Sequence, residues 1–151
     1  MEVARTCQPK NNFLQKVRNL ATKKKIVLIF DECTSGFRES LGGMHKIYGV
    51  EPDMAMFGKA LGNGYAITAV IGKREIMEEA QNSFISSTFW TERIGPAAGI
   101  KTIEIMKKTK SWKILPKVGK KITSEWKKIF KIFNIFFNIF GTPALPGFSF
   151  N

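Results

Sequence analysis

Two residues of this chain have the type and setting to do chemistry together. Asp31 is an acid at the end of a continuous apolar run, and Lys59 is a primary amine inside a glycine-rich stretch. An acid at the carboxyl end of a buried strand lies where open α/β sheets gather their ligands, because the loops there leave a crevice with exposed backbone groups. Gly58, Gly62 and Gly64 let the backbone around the lysine turn sharply and approach a bulky planar ligand without Cβ clashes. A lysine buried in such a place loses hydration, which favours the neutral amine that attacks carbonyl carbon. Each residue also has an ordinary structural reading: Asp31 as the cap of a following turn, and Lys59 as a surface residue with its charge in water.

The elements that must position this pair alternate between two periods. Phe13, Leu14, Val17, Leu20 and Ala21 fall on one helical face, with Asn11 and Asn12 as candidate caps. Ile26 to Phe30 is an unbroken apolar, β-branched run, which predicts a strand buried on both faces of a parallel sheet. Residues 34–52 carry enough Gly and Pro for a long loop with at most a short helix. Residues 53–57 and 66–71 are short strand candidates on either side of the Lys59 loop. Residues 73–80 and 96–108 read as helices, the latter with Ala97, Ile100, Ile103 and Met106 on one face. Residues 118–130 read as an amphipathic helix, and GTPALPGFSFN as a loop entering a strand. Alternating helix and strand predicts the α/β class, with a domain boundary at 110–116 where Pro116 breaks the chain.

With 151 residues and 44% hydrophobic composition, the chain can bury one ordinary core. Cys7 and Cys33 are too few and too far apart for a disulfide framework, and no Cys/His cluster has metal-ligand spacing. His45, the single histidine, is given no chemistry. The N-terminus has no apolar signal region. The apolar stretch 129–140 is interrupted by Lys131, Asn134 and Asn138 and is too short for about 30 Å of hydrocarbon. A soluble, cytoplasmic protein is expected. The net charge of +12 raises nucleic acid or an anionic membrane as partners. Its lysines are spread along helix-like segments without aromatic platforms, which favours solvated helix faces over a functional basic patch.

The stretches LIFDECTSGFRESLGG and GVEPDMAMFGKALGNGYAITAVIG closely resemble the active-site signature of class III pyridoxal-phosphate (PLP) aminotransferases, the group containing glutamate-1-semialdehyde aminomutase. Lys59 follows Asp31 by 28 positions, the separation that resemblance calls for. EVARTCQPKNNFLQKVRNLATKKKIVLIFDE, SSTFWTERIGPAAGIKTIEIM and GTPALPGFSF are similar to flanking family segments, and residues 110–140 match loosely. The resemblance begins midway through the family's large domain, so the expectation is a fragment. Residues 1–112 would be the C-terminal half of a fold type I PLP-binding large domain, mainly parallel sheet with flanking helices. Residues 113–151 would be a linker helix and the beginning of an α+β small domain.

The same resemblance implies the roles. Lys59 would be the Schiff-base lysine and proton carrier, and Asp31 would face the pyridine nitrogen of PLP and keep it protonated. Cys33 would stand where the family usually has a valine against the ring, packing rather than reacting. A threonine following the lysine would reach the partner subunit's cofactor phosphate in a homodimer; Thr91 is favoured and Thr88 competes. Glu92 and Arg93 would lie near that interface. The expected reaction moves an amino group between an amino compound and an oxo acid or aldehyde. An intramolecular aminomutase and a non-catalytic basic module are the alternatives.

Overall fold

In the computed structural model, which describes residues 7–86 and 88–150, helix α1 covers Phe13–Lys23. Leu14 and Ala21 are buried on it and Val17 is packed beside them, whereas Phe13 and Leu20 remain exposed. The buried stripe is narrower than the apolar period. Asn12 occupies the cap position in left-handed backbone and makes no side-chain bond to the helix, so the expected asparagine cap is absent.

The apolar run after α1 gives a shorter strand than its length predicts. Ile26 bonds back to the Ala21 carbonyl to close the turn, and Ile26 and Val27 are exposed. Strand β1 is Ile29–Asp31, in which Phe30 is buried but Ile29 is exposed. It pairs in parallel with β2, Met54–Phe57, in the register Ile29–Met54, Phe30–Ala55, Asp31–Met56. Between them lies the predicted long loop with one short helix, α2, His45–Tyr48.

Strand β3, Ala69–Gly72, runs antiparallel to β2. The three-stranded sheet is therefore mixed rather than mainly parallel. The segment joining β2 to β3 holds a single 3-10 turn, Lys59–Leu61, and no crossover helix, so the chain can only reverse.

Helix α3, Arg74–Met77, continues into a 3-10 turn, Glu78–Asn82, and α4 covers Ile94–Thr109. The inward face of α4 differs from the predicted one. Gly95, Gly99 and Met106 are buried and Ile103 packs on the core, while Ala97 and Ile100 are exposed. A Cβ on Gly95 would stand 2.5 Å from the Ala66 carbonyl oxygen, so the helix comes that close only because the residue is glycine.

Lys110, in left-handed backbone with φ 54, separates α4 from α5, Ser111–Ile132. Pro116 lies inside α5, so the chain break falls at Lys110 and not at the proline. Lys113, Lys117, Lys120, Lys121, Lys127, Lys128 and Lys131 are all exposed and share one side of this helix at 3.6 residues per turn. On the other side, Phe130 and Trp126 pack on a hairpin of β4, Phe137–Thr142, and β5, Leu145–Phe150. Phe130 meets Phe137 at 4.7 Å and Phe148 at 5.0 Å between ring centroids. The hairpin is tied to the loop after β1, where the Ala144 N–H donates to Glu39 Oε1 at 2.7 Å. No helix among the described residues is long and apolar enough to cross a membrane.

Candidate active site

Asp31 is the last residue of β1, beside Met56 of β2. Its carboxylate is partly exposed, and Oδ1 accepts the Cys33 N–H at 2.9 Å. The turn-capping role is thus real, and it fixes the carboxylate at the strand end. The Cys33 amide is the main influence holding the Asp31 carboxyl below its ordinary pKa. It outweighs burial, and the Cys33 thiol and the charge of Lys59 add to it. Asp31 is an anion there.

Lys59 begins the 3-10 turn that follows β2, so parallel pairing of β1 with β2 carries it to the end of the sheet at which Asp31 sits. Its φ is 42, a left-handed conformation that costs a residue with a Cβ roughly 1–3 kcal/mol and persists where the surroundings impose it. Two neighbours impose it. Leu61 is buried in the cluster of Ala55 and Phe57, and a Cβ on Gly62 would stand 2.0 Å from the Tyr65 carbonyl oxygen. Lys59 is exposed rather than buried, so its amine is accessible and not sealed in a core. Its Nζ donates to Thr34 Oγ1 at 2.6 Å.

Cys33 lies just past the strand, in the turn that Asp31 caps, and its sulfur would be 3.5 Å from a Cβ on Gly58. Burial first, then the neighbouring Asp31, pushes its thiol pKa up. The Cys33 thiol is therefore neutral. The structure brings together Asp31, Cys33 and Lys59, with Thr34 as a fourth member that sequence reasoning missed.

A second group missed in the sequence holds this loop. Glu32 is fully buried. Its Oε1 accepts His45 N and Nδ1, both at 2.9 Å, and its Oε2 accepts Met44 N at 2.9 Å and the Ser35 hydroxyl. Burial pushes Glu32 up, but His45, Ser35 and the two backbone amides outweigh it and leave the carboxyl below its ordinary pKa. His45 is thus a buried hydrogen-bonding residue. The adjacency of an acid to Asp31 and the presence of one histidine in the loop were the available signals.

With this geometry in view, the model of the family described as Aminotransferase class-III matches residues 6–148. The chain belongs to the class-III aminotransferase family. It is 43% identical over 143 residues to a 3-aminobutyryl-CoA aminotransferase of Cloacimonas acidaminovorans, covering 94% of this chain and 34% of that protein. It is 40% identical over 105 residues to a glutamate-1-semialdehyde 2,1-aminomutase of Citrifermentans bemidjiense, covering 68% of this chain and 25% of that one. The chain therefore spans about a third or less of these relatives' length. Its fold matches the FumI protein of Sphingopyxis sp., solved as its PLP internal aldimine form, with a TM-score of 0.93 at 22% identity over 100% of this chain and 38% of FumI. It also matches an omega-transaminase of Sphaerobacter thermophilus, with a TM-score of 0.78 at 26% identity over 91% of this chain and 33% of that one.

Within this class-III chain, Thr88 and Thr91 lie exposed in the turn before α4, on an element apart from Asp31 and Lys59. Glu92 caps α4, its carboxylate accepting the N–H groups of Ile94 and of Gly95, the latter at 3.0 Å. An acid placed there also complements the helix dipole, so its visible role is structural. Among the described residues no group of three or more His, Cys, Asp or Glu side chains could hold a metal ion.

The donor set fits an aldehyde-bearing pyridine cofactor at two points. An anionic carboxylate suits a pyridinium nitrogen, and an accessible primary amine suits an aldehyde. The neutral Cys33 thiol offers no competing thiolate.

Proposed function

We propose that this class-III chain holds PLP in an enzyme that moves an amino group between an amino compound and an oxo acid or aldehyde. The observation that carries the reading is the convergence of an anionic Asp31 and an exposed Lys59 on one end of the β1–β2 pair. When bound, PLP supplies an aldehyde that condenses with amines and a protonated ring that delocalises the electron pair left at a substrate carbon.

Lys59 would tether the cofactor through its Nζ. Once displaced by the substrate amine, the same Nζ would take the proton from the substrate Cα and return it elsewhere. Asp31 would keep a proton on the pyridine nitrogen, since an opposite charge within hydrogen-bonding reach favours the charged ring by about 1–3 pKa units. Cys33 would pack beside the ring, and Thr91, with Thr88 as competitor, would serve the phosphate of the partner subunit in a homodimer.

The glutamate-1-semialdehyde 2,1-aminomutase relatives support a second reading, an intramolecular transfer using the same Asp31 and Lys59. The units 1–112 and 113–151 remain our proposal for large-domain and small-domain portions.

Incubation with PLP, reduction with borohydride and peptide mass spectrometry test the cofactor reading. Lys59 should carry the label well above the other exposed lysines, and Lys59→Ala should remove it. Equal labelling of all exposed lysines would overturn the assignment. An amino-donor panel assayed with and without an oxo acceptor separates transfer from isomerisation.

A further inference from the structure

We propose that Thr34 is a positioning residue for the Lys59 amine. It would hold Nζ beside the Asp31 strand end by a neutral acceptor, so that the amine is aimed at an arriving aldehyde yet not locked in an ion pair. The inference rests on Lys59 being the residue that takes the cofactor.

Three observations carry it. Thr34 Oγ1 is 2.6 Å from Lys59 Nζ, and Thr34 is itself buried. Thr34 is fixed on both sides, because its carbonyl accepts Arg38 Nε and the next residue, Ser35, is bonded to the buried Glu32. Asp31, the carboxylate that ends the neighbouring strand, has Oδ1 occupied by the Cys33 amide. A lysine on the surface otherwise samples many rotamers, and this exposed one is given a single rigid hydroxyl. A carboxylate in that place would hold the amine more strongly by charge and oppose its departure; a hydroxyl orients it at lower cost.

The step being positioned is condensation. The Nζ electron pair bonds to the aldehyde carbon, the carbonyl oxygen leaves as water with both hydrogens of the neutral amine, and a carbon–nitrogen double bond results. Aiming Nζ removes one side chain's rotamer freedom beforehand. That corresponds to a rate factor of about threefold to tenfold.

The test uses the 151-residue chain, PLP as probe and borohydride as reductant. Lys113, which is exposed on α5, serves as internal reference in the same digest. Thr34→Val should lower the Lys59-to-Lys113 labelling ratio about threefold to tenfold, and Thr34→Ser should restore it. Acylation of Lys59 by acetic anhydride, a small reagent with little orientational demand, should not fall. A Thr34→Val ratio equal to that of the parent chain overturns the inference, as does equal loss of labelling by both reagents.

Side-chain relaxation of isotope-labelled lysines gives a readout that needs no cofactor. The Lys59 Cε should be more rigid than that of Lys113 in the parent chain and should become as mobile as it in Thr34→Val. A Lys59 Cε already as mobile as that of Lys113 in the parent overturns the positioning role. A rigid Lys59 that PLP never labels instead overturns the cofactor reading and leaves the Thr34 contact standing.

Discussion

Glu32→Gln should cost the chain about 3 kcal/mol, because the buried carboxylate is the common acceptor for four donors. Those donors are His45 N and Nδ1 on one oxygen, and Met44 N and the Ser35 hydroxyl on the other. Glutamine keeps one acceptor oxygen and replaces the other with a donating NH2. If the NH2 faces His45, the ring can take the tautomer in which Nδ1 accepts, but the His45 backbone N–H loses its partner; if it faces Met44, the serine hydroxyl can turn to accept but the Met44 N–H cannot. At least one buried donor is stranded at about 1–3 kcal/mol, and the remaining bonds lose the assistance of the charge. A loss of about 3 kcal/mol in a chain of this size corresponds to a fall in Tm of about 6–12 °C.

Urea and thermal unfolding of parent and variant by circular dichroism at pH 7 would measure it. The pH dependence adds a check. The folded Glu32 pKa lies below its ordinary value, so its contribution is complete above the usual carboxylate range of about 4 and is lost as the pH falls through the folded value. The gap between parent and Glu32→Gln should therefore shrink on acidification. A variant within about 1 kcal/mol of the parent at pH 7, or a gap that widens in acid, would refute the network as the anchor of this loop.

Asp53 accepts Leu28 N and Arg18 at 2.8 Å and Lys73 at 2.7 Å. These contacts hold its pKa well below the carboxylate range despite burial. Asp53→Asn should lose about 1–3 kcal/mol at neutral pH in urea titrations and little in strong acid, where the parent also loses the charge. Gly62→Ala should displace the Lys59 turn, since the new Cβ would sit 2.0 Å from the Tyr65 carbonyl oxygen; reduced PLP labelling of Lys59 together with a lower Tm is the expected result, and parent-like values for both would count against the turn geometry. In the cofactor-loaded enzyme, Asp31→Asn should retain the covalent label on Lys59 and slow single-turnover amino transfer by about two to three powers of ten. An unchanged rate would remove the role proposed for Asp31.

The sequence by itself determined the elements whose patterns are local and the residues whose chemistry is unusual for their setting. The 3.6-residue apolar spacing marks α1 and α4, the amphipathic stretch marks the core of α5, and glycine and proline mark the long loop before β2. An acid after an apolar run and a lysine among glycines made Asp31 and Lys59 candidates, and the resemblance to the class III signature selected them as a pair. Tertiary structure decided what depends on neighbours distant in sequence. Ile26 and Val27 have strand composition, but Ile26 bonds back to the Ala21 carbonyl of α1 and both stay exposed outside β1. β3 pairs antiparallel because no helix fills the connection from β2. Pro116 is carried within α5 because the break comes earlier, where Lys110 adopts left-handed backbone. The Thr34 hydroxyl meets Lys59 across 25 positions, and Glu32 meets His45 across 13. Hydrogen bonds of this kind need a direction and a distance as well as a residue type, and only the folded register of β1 beside β2 supplies both.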